Sequence, residues 1–109
     1  MVTEVAGAFE ALGDPQRREI LRLLGEGDKP VHALAEALPI SRPAVSRHLR
    51  VLRDSGLVEQ RAEGTERIYS LAGEGVTAVQ DYLETVWGEA IARFRLVAEN
   101  TSPRKEADR

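Results

Sequence analysis

The sequence predicts a mainly α-helical fold with one small β-hairpin, an α+β architecture. First, apolar residues recur at helical spacing through most of residues 3–55. Second, this period is lost between residues 57 and 71, where short runs of β-forming side chains flank Gly64. Third, a helical period returns near residue 76 and lasts to about residue 98. The expected order of elements is therefore four helices, two strands and one long helix.

The first two helices are predicted from apolar spacing and from the residues at their ends. The first spans residues 3–12 and is broken by Gly13. Asp14 then provides an N-cap, and Pro15 stands at the first helical position, where its missing N–H costs little. The second helix is expected to run to about Leu24.

A short third helix is expected after a turn over residues 25–29. Pro30 or its neighbour opens this helix, and Pro39-Ile40 forms the bend that follows it. Its inward side chains are predicted to be Val31, Leu34, Ala35 and Leu38.

The helix predicted over residues 41–55 is basic on one face and apolar on the other. Ser41 is a good N-cap, Pro43 lies in the first turn, and Gly56 follows the end. At about 100° per residue, Arg47 and Arg50 point away from the apolar stripe. That stripe consists of Val45, Leu49 and Leu52. Two short helices joined by a tight bend, the second capped and basic, are typical of a helix-turn-helix, although an ordinary solvated arginine face is the alternative.

The hairpin is predicted from strands at residues 57–61 and 67–71, with its tip at residues 62–66. A β-hairpin placed directly after a recognition helix is a wing, which often touches the DNA backbone. It can also simply close the core, and both roles can hold together. The side chains expected to close the core are Leu57, Val58 and Leu71.

The last helix, predicted over residues 76–98, has a broad apolar stripe that includes Trp87. So long and apolar a helix exceeds what a domain of this size can cover, so we expect it to pack with the first helix against a second copy. The alternative is a terminal helix folded back on its own domain. Residues 1–98 would then form one DNA-binding and dimerisation domain, and residues 99–109 a disordered tail.

Composition bounds the function. The 109 residues include no cysteine, so we expect no disulfide, thiol nucleophile or thiolate metal site. No apolar run is long enough to span a membrane and no signal peptide is recognised, which predicts a cytoplasmic protein without a membrane partner. The net charge is −3, yet residues 41–71 hold six arginines against four acids. Such a segregated positive patch can bind phosphate on an acidic chain.

Three segments together resemble the ArsR family of bacterial winged-helix repressors: ALGDPQRREILRLL (11–24), LAEALPISRPAVSRHLRVLRDSGLV (34–58) and RAEGTERIYSL (61–71). The resemblance implies a homodimer that binds an operator in double-stranded DNA and blocks transcription until a signal releases it. It places the base-reading positions early in the recognition helix. The DNA-binding residues predicted from the helix, the wing and the resemblance are Ser41, Arg42, Pro43, Ser46, Arg47, Arg50, Arg61 and Arg67. The predicted dimer interface contains Val5, Phe9, Leu83, Trp87, Ile91 and Phe94.

The sequence also departs from the family. Pro30 and His32 stand where many members have metal-binding cysteines, and no histidine follows His48, so neither a metal nor another cofactor is expected. The acids of the last helix are interpreted as a solvated face: Asp81, Glu84 and Glu89. His48 is interpreted as a half-buried structural residue rather than a base reader. Acids also flank the tip of the wing, at Glu63 and Glu66, where many relatives are basic.

Two other functions remain open. The acidic wing would suit a winged-helix module that binds protein and not DNA. Alternatively, a small apolar effector could enter between the long helices near Trp87, although plain dimer packing is the preferred interpretation of that side chain. An enzyme is not expected, because the chain has no paired histidine and acid at motif spacing and no glycine-rich phosphate loop.

Overall fold

The computed structural model describes the backbone of residues 2–101 and the side chains of residues 6–100. The predicted order of helices and hairpin strands is confirmed. The last helix begins two residues earlier than predicted and extends to Thr101, so it overlaps the start of the predicted tail; residues 102–109 lie outside the described part. The elements are α1 (Val2–Leu12), α2 (Pro15–Gly25), β1 (Lys29–Pro30), α3 (Val31–Ala37), α4 (Arg42–Asp54), β2 (Val58–Glu63), β3 (Glu66–Leu71) and α5 (Glu74–Thr101).

One strand was not predicted. Lys29 was assigned to a turn, but the structure pairs Lys29 with Tyr69 and Pro30 with Ile68, which makes β1 an antiparallel edge strand in a sheet of order β1-β3-β2. Two residues are too few to show a strand period. Proline is tolerated at a sheet edge, where its missing N–H leaves no central ladder bond unmade.

Asp14 and the two arginines that follow it join α1 to α2. The Asp14 carboxylate accepts the backbone N–H groups of Arg17 (3.2 Å) and Gln16 (2.8 Å), and these bonds lower the pKa of Asp14 below its ordinary value. Arg17 donates through Nε to the Ala11 carbonyl at 2.8 Å, and Arg18 donates to another carbonyl of the last turn of α1. The side chains of α2 thus satisfy carbonyls that the end of α1 leaves free.

The core lies where α2, α3 and α4 meet the sheet. Its largest fully buried side chains are Ile20, Leu34, Val45, Leu49 and Leu52. Leu57 and Val58 close it as predicted, but the prediction for Leu71 was wrong: this side chain is 46% exposed. β1 begins opposite Tyr69, so no strand flanks Leu71 on that side of β3.

Two glycines fasten the start of α5 to the turn after α4. The Gly75 N–H donates to the Gly56 carbonyl at 2.8 Å, and Gly56 has φ +76, a conformation that favours glycine. A Cβ on Gly75 would lie 2.6 Å from the Ser55 carbonyl oxygen. The two segments approach this closely because Gly75 has no side chain.

The chain divides into two compact units between Val79 and Gln80. The first contains the core and the sheet, and the second contains the rest of α5. Within the described residues, no helix combines the length and the apolar character needed to cross a membrane.

Candidate nucleic-acid interface

The first turn of α4 is held by Ser41. Its hydroxyl accepts the Ala44 N–H at 3.2 Å, and Pro43 follows within the first two helical positions, as predicted. Val45, Leu49 and Leu52 are at most 1% exposed, which fixes the rotation of the helix about its axis. The opposite face is therefore presented to solvent.

That outward face is positively charged and unpaired. Arg42, Arg47 and Arg50 are exposed, together with Pro43 and Ser46. Among the described side chains, no carboxylate lies within 4.0 Å of these three guanidinium groups. The three arginines can therefore meet an anionic partner, and the exposure of Arg47 and Arg50 agrees with the direction that the helical wheel predicts for them.

The wing treats its first arginine differently. Arg61 donates through Nη1 to Asp28 at 2.8 Å and through Nε to Glu63 at 2.9 Å. The hydrogen bond to Asp28, followed by that to Glu63, raises the pKa of Arg61 above its ordinary value. Two carboxylates therefore already neutralise a guanidinium that was predicted to bind DNA, and the predicted contact would have to compete with them.

The ladder register also shows on which face of the sheet Arg61 lies. Arg61 stands directly opposite Ile68 in the β2–β3 ladder, and residues opposite each other share a face of the sheet. Ile68 is only 8% exposed but lies outside the main core cluster, which contains its neighbour Tyr69. Because side chains alternate along β3, Arg61 lies on the face of the sheet that Ile68 occupies and not on the face of Tyr69.

A second contact joins the wing to α3. The tip turns at Gly64, which has φ +61, and Glu66 follows at the start of β3. His32 donates through Nε2 to Glu66 Oε2 at 3.1 Å, and both side chains are about half exposed. Arg67 is exposed and has no ion-pair partner among the described residues.

The start of α3, the first turns of α4 and the wing enclose a groove of about 330 Å³. It brings together three predicted DNA-binding residues from two separate segments: Arg42 and Ser46 from α4, and Arg67 from β3. The other five lie outside its lining. The full lining is Pro30, Val31, His32, Arg42, Ser46, Thr65, Glu66, Arg67 and Tyr69, and we call it the wing groove.

His48 is half-buried, as predicted for a structural residue. Its Nδ1 lies 3.4 Å from Arg17 Nη1, so this nitrogen accepts from the guanidinium in the neutral ring. Arg17 also donates to the Ala11 and Glu10 carbonyls. The His48 side chain therefore connects α4, through Arg17, to the junction between α1 and α2 and does not face outward.

The predicted dimer residues differ in exposure within the single chain. Phe9 is 41% exposed in the first unit, and Trp87 and Phe94 are 48% and 78% exposed in the second. Leu83 and Ile91 are half-buried, and the side chain of Val5 lies outside the described residues. Trp87 meets Tyr82 edge-to-face, with ring centroids 6.4 Å apart. Large apolar side chains on α5 thus remain in contact with water in one copy.

Sequence reasoning missed the roles of His32 and Glu66, which are 34 residues apart and meet only through the fold. It likewise missed the pairing of Arg61 with Asp28. No local pattern announces either contact. The described residues contain no group of three or more histidine, aspartate or glutamate side chains that could hold a metal ion.

A winged helix-turn-helix with a three-stranded sheet, whose α4 exposes arginines that have no carboxylate partner among the described side chains, defines a DNA-binding regulator. Comparison of this chain with known proteins supports the same class. The family description "Bacterial regulatory protein, arsR family" matches residues 14–60. The chain belongs to the arsR family of bacterial regulatory proteins and is a helix-turn-helix transcriptional regulator.

Three relatives illustrate the similarity. The chain is 42% identical over 87 residues to the HTH-type transcriptional regulator Rv2034 of Mycobacterium tuberculosis, covering 80% of this chain and 81% of that protein. It is 38% identical over 73 residues to the transcriptional repressor SdpR of Bacillus subtilis, covering 67% and 78%. A solution structure of the homodimeric winged helix-turn-helix DNA-binding domain of Mb0332 from Mycobacterium bovis is similar with a TM-score of 0.66 and 35% identity, covering 84% and 85%.

Proposed function

We propose that this regulator is a homodimeric repressor that reads a palindromic operator with α4. The observation that carries the proposal is the outward face of α4, where Arg42, Arg47 and Arg50 are exposed without a neighbouring carboxylate among the described side chains. An α-helix fits the major groove of DNA, and arginine side chains supply its commonest specific contact.

The roles within the site follow from position. Arg47 is centred on the outward face and is the candidate for a two-bonded contact to guanine O6 and N7. Pro43 and Ser46 lie beside it and shape the contact with neighbouring bases. Arg50, one turn further along, would meet a phosphate, which positions the helix without reading sequence. Ser41 would act through the first turn that it caps.

A two-fold dimer would present two copies of α4 to one duplex. The exposed Trp87 and Phe94 support an interface built on α5, to which Phe9, Leu83, Ile91 and Val5 are also assigned. Half-sites about 10 bp apart are expected, because two recognition helices related by symmetry enter successive major grooves. The operator should therefore be palindromic.

The same proposal covers the remaining properties of the chain. Residues 1–98 would form the DNA-binding and dimerisation domain, acting in the cytoplasm without an enzymatic activity or a cofactor. The solvated acids elsewhere on the chain reduce its general attraction to DNA, so binding to random sequence should be weak and strongly dependent on salt.

Fluorescence anisotropy on DNA from upstream of the protein's own gene tests this proposal. Wild type is compared with Arg47→Ala in excess random DNA at two salt concentrations. Arg22→Ala is the matched control, since it removes one exposed arginine that belongs to α2 and pairs with Glu19 and Glu26. We expect Arg47→Ala to lose about 1–3 kcal/mol of specific binding and the control to lose little.

The contrary outcome is equally clear. Base reading through α4 would be contradicted if wild type binds the upstream fragments weakly, no more tightly than Arg47→Ala does, and if random DNA abolishes this binding. A protein-binding winged helix would then be favoured. Replacing both Arg47 and Arg50 separates the two hypotheses, because base reading through α4 requires that DNA binding is lost while the dimer remains intact.

A further inference from the structure

The wing groove contains more positive charge than the wing as a whole. Arg42 enters it from α4 and Arg67 from β3, and neither has an ion-pair partner among the described residues. Ser46 and Thr65, whose side chains carry hydroxyl groups, line the same space. Two guanidinium groups and two hydroxyl donors are the groups that recognise a phosphate.

One carboxylate shares this space. Glu66 also lines the groove, next to Arg67 in the chain and within the same lining as Arg42. Its Oε2 accepts a hydrogen bond from His32 Nε2 at 3.1 Å. This hydrogen bond holds the Glu66 carboxylate against α3, and no described arginine pairs with it within 4.0 Å.

Arg61 shows how nearby carboxylates pair with an arginine of this wing. Two carboxylates, Asp28 and Glu63, approach its guanidinium to 2.8 and 2.9 Å. When DNA binds, a guanidinium that is already paired only exchanges a carboxylate for a phosphate. The net gain in binding free energy is therefore small. Arg42 and Arg67 form no such ion pair among the described residues, although Glu66 lines the same groove.

We propose that His32 is a positioning residue that holds Glu66 away from Arg42 and Arg67, so that the wing groove accepts a phosphate of the operator backbone. The inference rests on the proposed function. The operator backbone is the expected source of the phosphate because the wing groove adjoins the first turns of α4. A helix in the major groove is flanked by the phosphates of both strands. His32 would thus raise affinity without touching DNA bases.

Four variants test the positioning role by anisotropy titration over a series of salt concentrations. His32→Ala should weaken operator binding about two- to fivefold, the range expected for one exposed charge interaction. His32→Gln should restore much of the loss, because the amide N–H can still donate to the carboxylate. Glu66→Gln should bind at least as tightly as wild type, and His32→Ala in the Glu66→Gln background should cause no further loss.

Arg67→Ala tests the phosphate contact itself. Removing one phosphate contact should lower the slope of log affinity against log salt by about 1, equally for operator and random DNA. Arg22→Ala is again the matched control, since it removes an arginine that lies in α2 and not in the groove lining. A single methylphosphonate at the contacted phosphate should weaken wild type but not Arg67→Ala, whereas competition by inorganic phosphate at constant ionic strength would instead indicate a free-anion site.

The outcomes separate the two proposals. If wild type prefers the operator and Arg47→Ala destroys that preference, but the His32 and Arg67 variants behave as wild type, the groove inference is wrong and the proposed function stands. Equal losses in His32→Ala with and without Glu66→Gln would also overturn the positioning role. If wild type has no preference for operator DNA, both proposals fail.

Discussion

Gly75→Ala is the substitution for which the structure makes the sharpest prediction of stability. The added Cβ would lie 2.6 Å from the Ser55 carbonyl oxygen and 2.8 Å from Leu57 Cδ2. Both distances are below 3.0 Å, closer than Cβ atoms approach other atoms in real structures. The oxygen belongs to the backbone and cannot rotate away. The start of α5 must therefore move from the turn after α4, and the hydrogen bond from Gly75 to Gly56 must lengthen.

The size of the effect follows from three contributions. Overpacking of this kind costs about 1–3 kcal/mol, and weakening the hydrogen bond adds about 0.5–1.5 kcal/mol. Alanine regains at most about 1 kcal/mol through its higher helix propensity, and less in a first turn. We expect the free energy of unfolding to fall by roughly 2–3 kcal/mol, which lowers the Tm of a domain of this size by about 10–20 °C.

Gly25→Ala is the matched control. Gly25 ends α2 with an ordinary backbone conformation, and its added Cβ would meet Leu71 Cδ1 at 4.0 Å, a normal van der Waals contact. The same chemical change should there be neutral or stabilising by up to about 1 kcal/mol. Urea unfolding followed by circular dichroism, at matched protein concentrations because dimers unfold in a concentration-dependent way, compares the two variants.

The reasoning fails if Gly75→Ala unfolds at the same urea concentration as Gly25→Ala with an unchanged slope. That result would mean that the two segments separate at no cost and that the absence of a side chain at Gly75 has no structural role. A lower midpoint accompanied by an unchanged slope is the expected signature of a folded but strained protein.

Three further outcomes are expected. Leu49→Ala, at a site 1% exposed, should lose about 2–5 kcal/mol in urea unfolding, whereas Val51→Ala, 38% exposed on the same helix, should lose less than about 1 kcal/mol. Hydrogen bonds to the carboxylate lower the pKa of Asp14, so its contribution to stability is present above the unfolded pKa and is lost as pH falls through the folded pKa. In thermal melts, the difference in Tm between wild type and Asp14→Asn should therefore be full at about pH 7 and should shrink below about pH 4. Arg61→Ala should weaken operator binding much less than Arg47→Ala in anisotropy titrations, since two carboxylates already pair with Arg61, and an equal loss would argue that DNA displaces them.

The wing of this regulator combines two kinds of arginine that look alike in the sequence. Arg61 and Arg67 both follow or precede acids within the hairpin, and both were predicted to bind DNA. In the structure Arg61 is engaged by Asp28 and Glu63, while Arg67 has no such partner among the described residues. The distinction follows from the sheet, where Arg61 reaches across β3 to the segment before β1.

The sequence by itself determined the helices, their caps and the direction of the basic face of α4. These features depend on residues within about one helical turn of each other: Ser41 caps the N–H three residues ahead, and Val45, Leu49 and Leu52 define one buried stripe. Local spacing is sufficient for such signals. The resemblance of the same segments to the ArsR family was confirmed by the comparisons with known proteins.

Only the tertiary structure decided which charges stay free. The pairs Arg61–Asp28 and His32–Glu66 join residues 33 and 34 positions apart, and they form because β3 lies between β2 and β1. The exposure of Leu71 and the close contact of Gly75 with Ser55 likewise depend on where distant segments meet. A local pattern carries no information about strand order or register, so the partners of a charged side chain on the wing are known only once the sheet has formed.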